Sequence, residues 1–264
     1  MSYHSLKPTQ LEILNQIYKY RFVTINLLQA SLDLNSYSTL QRKLEVLIER
    51  NLVGKDYKPI YHLRHIHAAY YLRPEGLRAL AKSDPSIRLT KASYAENSRS
   101  RAFIDQYLAV YNSLNLLQRL FPLIKAYTAR DLASYRAFPK PTPAAYLVLE
   151  QNKQTQRFFL DFIPEGFPNY KINQLIDRYH QFFLEETWSQ TEAELPTLLI
   201  VTDQPSNLVY LERLISKKQA QIDMVEPNIY LTSLPDLKSA VNHQAAIWIA
   251  VGSNIPRLKL ADVS

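Results

Sequence analysis

Apolar residues recur at helical spacing three times at the start of the chain. Leu11, Leu14, Ile17 and Tyr18 form the first stripe, which ends near Tyr20. Thr9-Gln10-Leu11-Glu12 reads as a capping box, with Thr9 capping the helix and Glu12 reaching back to it. Thr24 opens a second, short helix over residues 25–32. Asp33-Leu34-Asn35-Ser36 is turn chemistry, and Asn35 or Ser36 can cap a third helix over residues 37–51. That helix buries Leu40, Leu44, Leu47 and Ile48 and turns a polar face outward. The pattern then becomes extended. Residues 52–57 predict a strand, residues 69–72 a return strand, and Lys58 to His67 the loop between them. Arg73-Pro74-Glu75-Gly76 starts another helix with proline in its first turn. This order of elements predicts a winged helix-turn-helix over residues 1–82.

Residues 83–101 read as a linker, broken by Ser83-Asp84-Pro85-Ser86 and closed by Ser98-Arg99-Ser100-Arg101. From residue 102 onward helices and strands alternate. A helix spans 102–121 and strands cover 123–128, 146–150 and 157–163, the last two joined by the polar hairpin Gln151-Asn152-Lys153-Gln154-Thr155. A helix over 169–186, a strand at 197–202, a helix over 208–220 and strands at 228–232 and 246–251 follow. The expected class is α+β: a winged helix, then an α/β domain over 102–264 whose mixed sheet has the order αβββαβ plus an extension.

Charge separates the two halves. Residues 1–140 hold 21 Lys and Arg against 10 Asp and Glu, whereas residues 141–264 hold 10 against 14. The basic half suits a polyanion, although a basic surface can also serve only to keep a protein in solution. The 264 residues include no cysteine, which excludes a disulfide scaffold, thiolate metal sites and a cysteine nucleophile. Four glycines leave little from which to build a phosphate-cradling loop, and serine nucleophiles lack a glycine-flanked elbow. No apolar run suits a membrane span or signal peptide, so a soluble, cytoplasmic chain is expected.

The third helix begins with side chains that can read base edges or meet phosphate. Ser36, Tyr37, Ser38, Thr39, Gln41 and Arg42 would face the major groove, and Lys43 would meet the backbone. Lys58, His62, Arg64 and His65 in the wing would touch the backbone as well. His62, His65 and His67 could instead be read as metal ligands, and on a strand His65 and His67 would share a face. They have no carboxylate or cysteine beside them, so no metal and no cofactor is expected. Glu185-Glu186 and the Glu192, Glu194 pair read as a solvated acidic rim. Most of the 18 tyrosines fall at core spacing.

The N-terminal pattern, Phe158-Phe159-Leu160-Asp161 at a strand end and the run from Lys171 to Tyr179 resemble the replication-relaxation family. The resemblance covers residues 6–203 and implies a double-stranded DNA-binding protein of a plasmid or mobile element. It would act in replication, relaxation, mobilisation or its control, with a relaxase or replication protein as possible partner. The αβββαβ order also resembles the restriction-endonuclease-like core. That core implies magnesium held by a carboxylate at the start of the second strand and by an acid on the third, with a lysine two residues after the acid. Here Ala144 stands at the first position and Ile163 at the lysine position. Asp161, Glu165 and Lys171 are the vestigial positions left, with Glu150 at the end of the second strand. The expectation is a DNA-binding homodimer without enzymatic activity. The alternatives are a magnesium-dependent nicking enzyme with a rearranged site around Asp161, or an antitoxin-like repressor.

Overall fold

The computed structural model describes residues 6–32, 34, 36–85, 87, 89, 91–151, 154–185, 187–191, 193–224, 227–253 and 257–263. Asp33, Asn35, Ser86, Asn152, Lys153, Glu186 and Glu192, named above, lie outside the described residues. The chain forms two compact units, Met1–Asn115 and Leu116–Ser264.

The first unit opens with α1 (Pro8–Tyr20), α2 (Ile25–Ser31) and α3 (Tyr37–Glu49). Ile13, Leu14, Ile17, Leu28, Leu40, Leu44 and Leu47 of these helices are fully buried or nearly so. Thr9 lies inside α1 rather than capping it, because Pro8 already sets the backbone angle of the first helical position. The Gln10 carboxamide oxygen, not Glu12, accepts from the free amide of Lys7 at 3.0 Å. Thr24 caps α2 by accepting from the Leu27 amide at 3.3 Å, and Ser36 caps α3 by accepting from the Thr39 amide at 3.3 Å.

After α3 the chain forms β1 (Val53–Asp56), α4 (Pro59–Leu63), β2 (Ala69–Leu72) and α5 (Pro74–Ser83). β1 and β2 are antiparallel, with Val53 opposite Leu72 and Asp56 opposite Ala69. Val23, between α1 and α2, bridges Tyr70 from the other side through hydrogen bonds of 3.1 and 2.8 Å. The segment between the strands is not the open loop expected, since α4 occupies its first half. His65 follows α4 at φ 52°, so His65 and His67 do not share a strand face.

Residues 83–101, expected as a linker, include a packed 3-10 stretch, Lys91–Ser98. Glu96 is 4% exposed and accepts from Arg21 Nε at 2.8 Å and Nη2 at 2.9 Å. Arg21 Nη1 also donates to the Tyr107 hydroxyl at 2.5 Å. Burial pulls the Arg21 guanidinium down, but Glu96 and Tyr107 hold it above its ordinary value. Tyr107 belongs to α6 (Arg101–Leu120), and Tyr111 of the same helix stacks on Tyr20 with ring centroids 3.7 Å apart. These contacts carry the first unit on to Asn115, past the boundary at 82 that the composition suggested.

The second unit is built on β3 (Lys125–Thr128), β4 (Ala145–Gln151), β5 (Gln154–Ile163), β6 (Thr197–Thr202), β7 (Ile229–Ser233) and β8 (Ile249–Ala250), paired in that order. A one-turn helix α7 (Ala129–Leu132) follows β3, α8 (Asn169–Leu184) and α9 (Leu208–Gln221) are the two crossovers, and α10 (Leu234–Ser239) follows β7. β3, β4 and β5 form an antiparallel meander. β6 and β7 add in parallel after their helices, and β8 closes the edge antiparallel. The three expected strands β3, β4 and β5, the crossover α8 and then β6 are present in a six-stranded mixed sheet, with the one-turn α7 inserted between β3 and β4.

Residues 158–163 of β5 are all buried, as a strand covered on both faces requires. Phe159, Asp161 and Ile163 share one face by strand alternation. On that face Phe159 and Ile163 pack with Ile172, Ile176, Tyr179 and Phe182 of α8 and with Trp188. No helix among the described residues is long and apolar enough to cross a membrane.

Candidate functional site

Two places could carry function, one in each unit. In the first, the Ser36 cap starts α3 so that its opening turn projects outward. Ser36, Tyr37, Ser38, Thr39, Gln41 and Arg42 are exposed, and Lys43 is half-buried. The same helix buries Leu40, Leu44 and Leu47, which fixes that orientation. Gln41 Nε2 donates to Glu45 Oε1 at 3.0 Å, so one of the expected base readers is held by a carboxylate in the unbound protein. Lys58, His62, Arg64 and His65 are all exposed around α4, together with Ile60 at 47% and Leu63 at 74%. Counted by compact unit, Met1–Asn115 holds 16 Lys and Arg against 9 Asp and Glu, while Leu116–Ser264 holds 15 of each. The whole net charge of +7 therefore sits in the first unit, and the second is neutral rather than acidic.

In the second unit Asp161 lies within the buried part of β5 with both oxygens occupied. Oδ1 accepts from the Ala144 amide at 3.0 Å. Oδ2 accepts from Arg178 Nη2 at 2.5 Å and from the Tyr179 hydroxyl at 2.6 Å. The side chains of Asp161 and Arg178 are only 12% and 13% exposed. Burial pulls Arg178 down, but Tyr179 and Asp161 hold its guanidinium above the ordinary value. Burial pushes Tyr179 well up, Arg178 opposes this and Asp161 adds to it, so the hydroxyl stays a donor.

Glu165, Lys171 and Glu150 do not join this cluster. The Glu165 amide donates to both oxygens of Asp203 at 2.9 Å, and its own side chain is exposed. Lys171 Nζ lies 5.6 Å from the centre of the Phe167 ring. Glu150 pairs with Lys125 at 2.9 Å, both of them more than half exposed. Ile163, where the nuclease-like pattern would place a lysine, is 2% exposed and belongs to the apolar cluster. These residues do not fit magnesium. An arginine and a tyrosine already saturate the one central carboxylate, and the position for a second is alanine. Among the described residues no group of three or more histidines and carboxylates is placed to hold a metal ion.

Sequence reasoning missed Arg178 and Tyr179. The signal available was chemical: a carboxylate within a buried strand needs a cation or donors from the element packed over it, and α8 supplies both.

No family model matches the chain, and no curated protein does. Among solved structures, the restriction endonuclease FokI bound to DNA is similar at a TM-score of 0.31 and 11% identity. A second structure of restriction endonuclease FokI is similar at a TM-score of 0.32 and 10% identity. Each match covers 87% of this chain and 43% of the FokI chain, so this chain spans less than half the length of that enzyme. A likeness this distant carries no weight for the chemistry. The resemblance to the replication-relaxation family gains no support from these comparisons.

Proposed function

We propose that the first unit is a winged helix-turn-helix that binds double-stranded DNA, with α3 in the major groove. The observation that carries this reading is the exposed opening turn of α3, capped by Ser36, within the unit that holds all of the net positive charge. The element order supports it too. Val23 supplies the short first strand between α1 and α2, and β1 and β2 flank the wing. Arg42 would read a base edge and Lys43 would contact phosphate. The second unit serves as a non-cleaving module for dimerisation or partner docking, because Asp161 is committed to Arg178 and Tyr179. A cytoplasmic role in the replication, relaxation or mobilisation of a plasmid or mobile element rests on the family resemblance alone.

The test begins with selection of a preferred duplex from random sequence. Arg42→Ala should then lower discrimination between that duplex and random DNA by ~1–3 kcal/mol. Lys43→Ala should weaken both about equally and flatten the salt dependence by about one unit of slope. Negligible effects from both would overturn the assignment of α3. Magnesium-dependent nicking of supercoiled plasmid, lost in Asp161→Ala, would overturn the reading of the second unit.

A further inference from the structure

The neutral second unit contains a cationic groove of about 580 Å³. One wall is a stripe of α8 that includes Lys171 and Arg178, with Glu185 just past its end, and the other is the segment 136–141. Arg136, Lys140, Lys171 and Arg178 line it against the single carboxylate of Glu185. Asp161 offsets Arg178 from behind, which leaves an excess of positive charge at the rim. Arg178 Nε is buried and has no hydrogen-bond partner. The partly buried Phe138 adds apolar ring surface to the lining, and Phe182, 6% exposed, closes it from the core.

We propose that this groove binds a phosphate monoester carried on a flat ring: a mononucleotide, free or at the end of a strand. The volume falls within the range of small-molecule sites, roughly 300–1,000 Å³. Cations gathered without matching carboxylates repel one another, and a phosphate dianion relieves that repulsion through charge-assisted hydrogen bonds. The partly exposed ring of Phe138 beside the cations gives a base somewhere to lie. The proposal does not depend on duplex binding by the first unit.

Phe138 packs edge-on against Trp188, with centroids 5.6 Å apart, so tryptophan emission reports on the groove wall. The full chain would be titrated by fluorescence and calorimetry with dAMP, deoxyadenosine, inorganic phosphate and a 5′-phosphorylated oligo-dA. Saturable dAMP binding at least about tenfold tighter than deoxyadenosine is expected, and Lys171→Gln and Arg136→Gln should each weaken it about tenfold. Both substitutions are at exposed positions, so folding is not at stake. Tight binding of the oligonucleotide would assign the groove to strand ends, and binding of dAMP alone would assign it to free nucleotide. Arg42→Ala should leave dAMP binding intact, which separates failure here from failure of the duplex reading. Equal affinity for dAMP and deoxyadenosine, no binding at all, or unchanged binding in Lys171→Gln would overturn the proposal.

Discussion

Replacing Asp161 by alanine tests whether this carboxylate is structural or a remnant of chemistry. The change removes the charge partner of Arg178, the acceptor of the Tyr179 hydroxyl and the acceptor of the Ala144 amide. Arg178 would be left charged and nearly buried. Breaking such a pair from one side costs about 3–5 kcal/mol. For a unit of this size each kcal/mol moves the midpoint by ~2–4 °C, so Asp161→Ala should lower Tm by about 10 °C. Both tryptophans lie in the second unit, and their emission follows its unfolding alone. Asp161→Asn keeps acceptors for Tyr179 and Ala144 and should fall between wild type and alanine. Arg178→Ala should cost a similar amount, and the double variant less than the sum of the singles, because the two act on one pair. A metal-site carboxylate would behave differently: its removal would relieve repulsion, and magnesium would raise the wild-type Tm. A loss below ~2 °C in Asp161→Ala, or stabilisation by magnesium that needs Asp161, would refute the structural reading.

Two further outcomes concern the first unit. A Cβ on Gly76 would lie 2.2 Å from the Leu52 carbonyl oxygen, which is backbone and cannot swing aside, whereas one on Gly54 would meet the movable end of the Tyr71 ring at 2.3 Å. Gly76→Ala should therefore cost about 1–3 kcal/mol despite alanine's better helix propensity, and more than Gly54→Ala; circular dichroism melts giving the reverse order would contradict this. The Tyr70 hydroxyl is pushed up to about 12 by burial, with Tyr37 and Glu45 adding to the effect. An unfolded tyrosine ionises from about pH 10 while Tyr70 keeps its proton, so the unfolded state binds fewer protons and stability falls as pH rises from about 10 to 12. Tyr70→Phe should flatten part of that alkaline decline in urea melts taken across the interval.

Much of the architecture was legible because it rests on local rules. The caps Thr24 and Ser36, the proline start of α5 and the all-apolar run of β6 marked their elements closely. What escaped depends on contacts distant in sequence. Nothing near Glu96 shows that Arg21, 75 residues earlier, would bury it and draw a polar stretch into the first unit. Val23 pairs with Tyr70 as a single residue, too short for any periodicity to register. The departures of Ala144 and Ile163 from the nuclease-like pattern were readable, but the partners of Asp161 lie on a different element.

The Asp161 cluster also constrains how this sheet could ever change. Installing the carboxylate–lysine set of a restriction-endonuclease-like core would need an acid at Ala144, a lysine at Ile163 and release of Asp161 from Arg178. Each step alone is harmful: the first sets a second carboxylate beside Asp161, the second drives a charge into the Phe159–Trp188 cluster, and the third strands a buried cation. With each of these changes costly on its own, the Asp161 cluster holds the sheet to its present packing.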